Sequence, residues 1–305
     1  MCARELGLRL LVGDRAPARS LDGLRFIGFA AHRGDAAAMA RIAALMAGGA
    51  WIPQDWAGAL AQLGTAAAAG DVDARRQLEC LQPDDAGPAD WAEMARRVPL
   101  DEWLRPAESA QLHASVRRIS RLAPPRVCAW LVERARSRLQ PARVYDAVSR
   151  REEVHEMRTN SCANFTLADI DVVQFLVQAR MALTCGFPLR NCEAPMVLHY
   201  RTGQQITPHF DFIDSQAADY AQQIREQGQR MVTFLLYLND AYEGGETTFP
   251  ELALTNRGHT GDGLYFVNAL PDTSPDRRML HTGSPPTRGE KWIVSQFIRN
   301  TRLRD

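Results

Sequence analysis

The chain has no long apolar run: no stretch of ~20 consecutive apolar residues offers a membrane-spanning helix. No charged segment leads into an apolar run and a small-residue cleavage site, so no secretory leader is read. Neither sign of charge dominates, because 36 basic residues balance 36 acidic ones among 305. No global field therefore draws a nucleic acid or a membrane surface. Cysteine is sparse: Cys2, Cys80, Cys128, Cys162, Cys185 and Cys192 form no CxxC, and the seven-residue spacing of the last pair is no standard zinc spacing. Together these absences point to a cytoplasmic protein with free thiols, with neither nucleic acid nor membrane as partner. The 46% hydrophobic and 24% charged composition supplies ample core, and the length suits two compact units.

Strand-forming runs are nearly missing from residues 1–82, which are rich in Ala, Leu and Arg and repeat. Gly28-Phe-Ala-Ala-His-Arg-Gly-Asp35 returns as Gly64-Thr-Ala-Ala-Ala-Ala-Gly-Asp71, and the same shift of 36 lays Gly13 on Gly49, Pro17 on Pro53 and Leu24 on Leu60. A fixed period of this size predicts stacked helical hairpins, with glycines ending the helices. The pattern Ala30-Ala31-His-Arg-Gly34-Asp-Ala-Ala-Ala38 resembles Sel1-like, tetratricopeptide-like repeats. That resemblance implies a scaffold that recruits a partner or substrate; the alternative is a helical cap on the downstream domain. From Gln82 to Pro125 prolines recur and the repeat is lost, which predicts a helical connector (83–125) with short helices at Trp91–Arg97 and Ala107–Leu122.

Helices are expected over Arg126–Leu139 and Asp169–Leu183, each with an apolar stripe. From Met196 the runs become short and β-rich: Met196–Arg201, Ile206–Ile213, Arg230–Leu238, Thr247–Phe249, Gly263–Asn268, Met279–Thr282 and Lys291–Ile298. Short strands between Gly/Pro/Asp turns predict a sandwich or jelly roll with flanking helices, an α+β domain over 126–305 with its core at 193–300. Residues 1–82 would stand before it as an all-α region.

Within Tyr200-Arg-Thr-Gly-Gln-Gln-Ile-Thr-Pro-His-Phe-Asp211, His209 and Asp211 are two apart on a predicted strand, so both side chains point to one face. His281 comes 72 residues later, followed by the turn Gly283–Gly289 and a strand opening at Lys291. A hairpin of that length would bring His281 and Lys291 close. Two histidines and a carboxylate make the facial set that leaves iron(II) with open positions. Lys291 shares its strand face with Ile293, Ser295 and Phe297; either it meets an anion there, or it sits at the rim and snorkels to water.

The segment from about Thr159 to Asn300 resembles the iron(II)- and 2-oxoglutarate-dependent dioxygenases of the prolyl 4-hydroxylase branch. The matching motifs are Arg158-Thr-Asn-Ser161, Leu198-His-Tyr200, His209-Phe-Asp211, Gln229-Arg230, Tyr237-Leu-Asn-Asp240, Gly244-Gly-Glu-Thr247-Thr-Phe-Pro250, Pro275-Asp276, and His281-Thr-Gly283 with Gly289-Glu-Lys-Trp292. The resemblance implies that His209, Asp211 and His281 ligate Fe(2+). Lys291 and Tyr200 would hold the distal carboxylate of 2-oxoglutarate, Thr247 or Thr248 and Tyr237 would line its pocket, and Arg158 would lie on the substrate side. It also implies L-ascorbate as a rescuing reductant, with succinate and CO2 released as an unactivated C–H bond is hydroxylated. Asp211 separates the chain from related halogenating enzymes, which carry a small residue there. The substrate is then a prolyl residue in a peptide or protein, recruited by the repeats, or a free amino acid or other small molecule; a non-catalytic binding module is the reading outside enzymology. The polar stretch Ile213–Gly228 is either a lid or a solvated helix.

Overall fold

A computed structural model of the chain describes residues 2–301 apart from 85, 86, 88, 147–150, 154 and 215–217. The chain divides into two compact units. The first gathers Phe165–Arg180 with the described residues up to Arg105, and the second gathers Pro106–Asn164 with those from Met181 on. Among the described residues no helix is long and apolar enough to cross a membrane.

The first unit is built of α1 (Ala3–Val12), α2 (Ser20–His32), α3 (Ala36–Gly48), α4 (Trp56–Ala68), α5 (Val72–Leu81), α6 (Trp91–Arg97) and α7 (Leu100–Trp103). The period of 36 is visible in the caps. Helices α2 and α4 begin 36 residues apart, as do α3 and α5. Asp35 and Asp71 each cap their helix by accepting from the N–H three residues on, that of Ala38 and of Ala74. Gly13 and Gly49 end α1 and α3 at φ 76° and 69°, a left-handed cap that glycine adopts without strain. Helix α1 stands where the second helix of a preceding repeat would lie. The segment 165–180 is tied to the repeats by polar bonds: Arg41 donates to the Leu167 and Ile170 carbonyls, and Gln77 Oε1 accepts from the Val172 N–H at 3.1 Å. These bonds gather it with the repeats although it follows Pro125, where the sequence reading opened the second domain.

The second unit carries helices α8 (Pro125–Arg136) and α10 (Ala218–Gln227); α9 (Val172–Thr184) begins in the first unit and ends in the second. Its strands run β1 (Ala110–His113), β2 (Val116–Ile119), β3 (Gln140–Pro141), β4 (Val144–Asp146), β5 (Arg151–Glu153), β6 (Ser161–Asn164), β7 (Met196–Tyr200) and β8 (Ile206–His209). They continue as β9 (Arg230–Tyr237), β10 (Tyr242–Gly244), β11 (Thr247–Phe249), β12 (Leu254–Asn256), β13 (Gly263–Val267), β14 (His281–Gly283), β15 (Pro286–Gly289) and β16 (Lys291–Arg299). An eight-stranded sheet has the order β1-β2-β13-β9-β16-β7-β6-β3, and a four-stranded sheet the order β12-β11-β14-β8. Leu198, Tyr200, Leu235, Tyr237, Phe266 and Ile293 of the large sheet bury a common core with Ile206 and Phe249 of the small one. Strand β16 is buried along its whole length, as expected of a central strand covered on both faces.

Three expectations are corrected. Ala107–Leu122 is not a helix: β1 and β2 pair with each other, and β2 pairs with β13, burying Val116 and Ile119 completely. Sheet pairing overrides local propensity there, so the helical connector does not extend to Pro125. The strand beginning at Ile206 ends at His209, because its partner β14 begins at His281, directly opposite, and no ladder continues past that pair. The link from His281 to Lys291 is not a plain hairpin turn either. It holds β15, which pairs with β10, and it carries the chain from the small sheet to the large one.

Helix α2 supplies a test of how the repeats pack. A Cβ at Gly23 would lie 2.7 Å from the Gly7 carbonyl oxygen and from the Leu11 nitrogen, whereas one at Gly28 would meet nothing within 4 Å. Helix propensity favours alanine by about 1 kcal/mol at both positions, and overpacking against backbone costs about 1–3 kcal/mol at the first only. Gly28→Ala should therefore raise the thermal midpoint and Gly23→Ala lower it. Equal shifts in melting followed by circular dichroism would refute the close crossing of α1 and α2.

Candidate metal centre

His281 and His209 are register partners across the antiparallel pair β14–β8, and their rings stand 4.3 Å apart between centroids. Opposed side chains in such a pair lie close enough to act on one ligand. Asp211 lies beyond the end of β8, yet its carboxylate returns to both rings. Oδ1 is 3.5 Å from His209 Nε2, and Oδ2 is 3.4 Å from His281 Nε2. One donor atom from each residue falls within 4.8 Å of the other two, and this is the cluster among the described residues that could hold a metal ion. Phe266 and Phe249 cover His281, with centroids 4.6 and 5.6 Å away.

The hydrogen bonds decide which nitrogens face inward. His209 Nδ1 lies 2.9 Å from the Thr207 carbonyl and His281 Nδ1 3.0 Å from the Met279 carbonyl. A carbonyl only accepts, so each Nδ1 carries the proton and each Nε2 turns a lone pair toward the carboxylate. Lone pairs set against anionic oxygens repel unless a cation lies among them. Either a proton or a metal ion must fill that role, and the set of two imidazoles and one carboxylate suits a divalent first-row metal. Burial alone would push the Asp211 carboxyl up; the charge of His281 and the hydrogen bonds of both histidines outweigh it and hold the group well below the usual carboxylate range. Burial pulls His209 down, and Asp211 more than reverses that, raising it above its ordinary value.

The residues expected to hold a co-substrate lie on both sheets. Lys291 and Tyr200 are register partners on β16 and β7, and both are buried. Lys291 Nζ donates to the Gly245 carbonyl at 2.7 Å, and among the described residues no carboxylate pairs with it. Burial pushes this lysine down to about 8, with Glu246 pulling weakly the other way. A side chain 1% exposed does not snorkel to water, and the partner it has is the Gly245 carbonyl. Its ammonium sits 5.3 Å from the Tyr200 ring centroid and 5.8 Å from that of Tyr237. Tyr237 joins the sheets, its hydroxyl lying 3.3 Å from Thr247 Oγ1 while receiving a hydrogen bond from Asn256 Nδ2 at 3.0 Å. Thr247 is the inward residue of its pair, for Thr248 turns to Thr255 on the exposed side.

Arg158 forms an isolated antiparallel bridge with Ile206, three residues before His209, and its Nε donates to Asn160 Oδ1 at 3.3 Å. It is half-buried, and its charge is felt at Tyr200 and His209. His199 faces away from the centre, stacked on Trp292 at 4.1 Å and paired with Glu290 at 3.1 Å. His155 and His259 are exposed. In the stretch Ile213–Gly228, α10 exposes Gln222, Arg225 and Glu226, and residues 215–217 lie outside those described. Sequence reasoning missed Thr233, Asn268 and Asn256. The one signal for Thr233 was a polar residue inside the apolar run Met231–Leu238.

Residues 195–299 match the family model for the 2OG-Fe(II) oxygenase superfamily. The chain is similar to probable prolyl 4-hydroxylase 7 of Arabidopsis thaliana, 30% identical over 56% of this chain and 58% of that protein. It is also similar to probable prolyl 4-hydroxylase 3 of the same plant, 31% identical over 56% of this chain and 64% of that one. It thus spans less than two thirds of the length of these curated relatives. Among solved structures, the viral collagen prolyl hydroxylase of Paramecium Bursaria Chlorella virus-1, in complex with 2OG, aligns with 24% identity and a TM-score of 0.47, over 61% of this chain and 97% of that one.

Proposed function

We propose that the chain is an Fe(II)- and 2-oxoglutarate-dependent dioxygenase that hydroxylates an unactivated C–H bond, that of a prolyl residue in a peptide or protein. The observation that carries this reading is the convergence of His209, Asp211 and His281 on one point, within the segment that matches the oxygenase family model. The buried, carboxylate-free ammonium of Lys291 suits the distal carboxylate of the co-substrate. The two sheets of the second unit would form the double-stranded β-helix, or jelly roll, of such enzymes. The repeats of the first unit would be Sel1-like and would recruit the protein substrate. Ascorbate dependence and a cytoplasmic location complete the proposal.

When bound, iron would supply the oxidative chemistry that turns 2-oxoglutarate and dioxygen into succinate, CO2 and the hydroxylated product. The protein's own residues do the rest. His209 and His281 present Nε2 with Nδ1 tied to backbone carbonyls, so neither ring turns away. Lys291 orients the co-substrate through charge, and Tyr200 adds a hydroxyl beside it. Phe249 and Phe266 keep water from the His281 side. Arg158, at the edge of β8, would meet the substrate chain.

Succinate release with iron, 2-oxoglutarate and prolyl peptides tests the reading. Asp211→Ala and His209→Ala should abolish it; turnover that persists in both variants would end the assignment. Product with free amino acids but not with peptides would select the small-molecule alternative. The alkaline limb provides a second test. Lys291 must be charged to hold an anion, so kcat/KM for 2-oxoglutarate should fall about tenfold per pH unit above about 8, where the burial-depressed amine loses its proton. Lys291→Met should lack that limb and lose roughly 10- to 100-fold in kcat/KM, the worth of a charged hydrogen bond. An alkaline limb retained in Lys291→Met would remove the lysine from this role. A third test is metal affinity at low pH. His209 must shed its proton to bind a metal, and Asp211 raises it above the ordinary imidazole range, so affinity should fall toward acid; isothermal titration with Mn(II) at pH 6 and 8 reads this directly.

A further inference from the structure

Asp211 is the member of the cluster that no strand holds. Strand β8 ends two residues before it, so the ladder that fixes His209 opposite His281 gives the carboxylate no support. A terminal carboxylate torsion is broad and roughly two-fold, so an unassisted aspartate would rotate about its last bond. The residue just before β9 supplies what the ladder does not. Gln229, 3% exposed, grips the main chain of Ile213 with both ends of its amide: Oε1 accepts from the Ile213 N–H at 2.7 Å, and Nε2 donates to the Ile213 carbonyl at 2.8 Å. The side chain thus imitates one rung of the missing strand. Gln229 is itself anchored through its backbone to Asn300, by bonds of 2.9 and 3.1 Å.

Four residues on, Thr233 faces the core and donates its hydroxyl to Asp211 Oδ2 at 2.8 Å. The direction of this bond is forced. An ionised carboxylate only accepts, and threonine has a single proton to give, so that proton points at Asp211. The lone pair of Thr233 Oγ1 then needs a donor, and Asn268 Nδ2 supplies it at 2.9 Å. Thr233 and Asn268 are each 1% exposed, so water does not substitute for either bond.

We propose that Thr233, aligned by Asn268, and Gln229 are positioning residues that set the orientation of Asp211 before any metal arrives. This inference rests on the metal-binding reading above. Thr233 takes up one oxygen of the carboxylate and fixes its plane, while Gln229 fixes the backbone two residues beyond. Partners of ligands in such positions typically govern 10- to 100-fold in metal affinity.

The test is titration of the full chain with Co(II), read by the visible absorption bands of the bound ion and by calorimetry. Wild type should bind with a defined spectrum, and Asp211→Ala should lose it. Thr233→Val, equal in shape and without the hydroxyl, should bind roughly 10- to 100-fold more weakly with shifted bands, and Thr233→Ser should restore both. Gln229→Met, which keeps length and loses both bonds, should weaken binding similarly while its metal-free melting temperature stays near that of wild type. Asn268→Ala gives the same readout one bond further out if Thr233→Val does not fold. Wild-type affinity and spectrum in Thr233→Val and Gln229→Met, with Asp211→Ala inactive in binding, would overturn the inference and leave the metal site standing. Wild type that binds no Co(II) would overturn the metal reading and this inference with it.

Discussion

Two imidazole nitrogens and a carboxylate turned toward one point, behind a wall of phenylalanine, hold together only with a proton or a metal ion among them, and the second unit is arranged around that requirement. His209 and His281 present Nε2 within 3.5 Å of Asp211 oxygens. Replacing such a cluster with apolar side chains would ordinarily leave a fold as stable or more so. Its assembly therefore needs support from elements that are stable for other reasons. Strands β14 and β8 fix the rings through backbone pairing, each imidazole is pinned by the carbonyl two residues before it, Thr233 of β9 donates to the carboxylate, and Gln229 just before β9 holds the Ile213 main chain. The central position of β9, between β13 and β16, makes it the stiffest place from which to do so.

The co-substrate side follows a complementary logic. A lysine buried to 1% exposure with a single carbonyl partner is costly, and its depressed pKa is the measure of that cost. Tyr200 and Tyr237 soften it with their ring faces, and Asn256 and Thr247 satisfy the Tyr237 hydroxyl, so what the ammonium itself lacks is negative charge. Asp211 does not answer it, being engaged by Thr233 and two histidines. The fold thus keeps a cationic demand and an anionic cluster from neutralising each other, which an unselected core would not do.

Much of this was legible in the residues, and the failures have physical causes. The alternation of Lys291, Ile293, Ser295 and Phe297 marked one face of β16, and the shift of 36 residues reappears in paired aspartate caps and left-handed glycines. His209 and His281 were legible as residue types, but their opposition comes from a strand register, a long-range property that spacing does not encode. Periodicity puts Asp211 on a strand face, although its surroundings are set by Gln229 and by Thr233 of β9, 18 and 22 residues further along. Strands β1 and β2 were hidden because Ala107–Leu122 mixes charge and apolar residues in a helix-compatible way, and only the edge of β13 makes them strands. Segment 165–180 follows the same rule, for Arg41 and Gln77 gather it with helices more than 90 residues earlier in the chain.

The contrast between the units bears on how such a chain evolves and tolerates change. In the first unit, period and caps repeat, and contact between α1 and α2 depends on two glycines letting backbones touch; a local rule applied twice suffices. In the second unit, no residue of the cluster is positioned by its own neighbours alone. The carboxylate depends on Thr233, whose only proton is directed by Asn268, just past the end of the neighbouring strand β13. A substitution at Asn268 removes no ligand and opens no cavity at the rings, yet it frees Thr233 to turn its proton elsewhere. Sensitivity to change in the second unit is therefore set by hydrogen-bond direction more than by distance from the cluster, because a hydroxyl has one proton to give and a buried site offers no water to replace it.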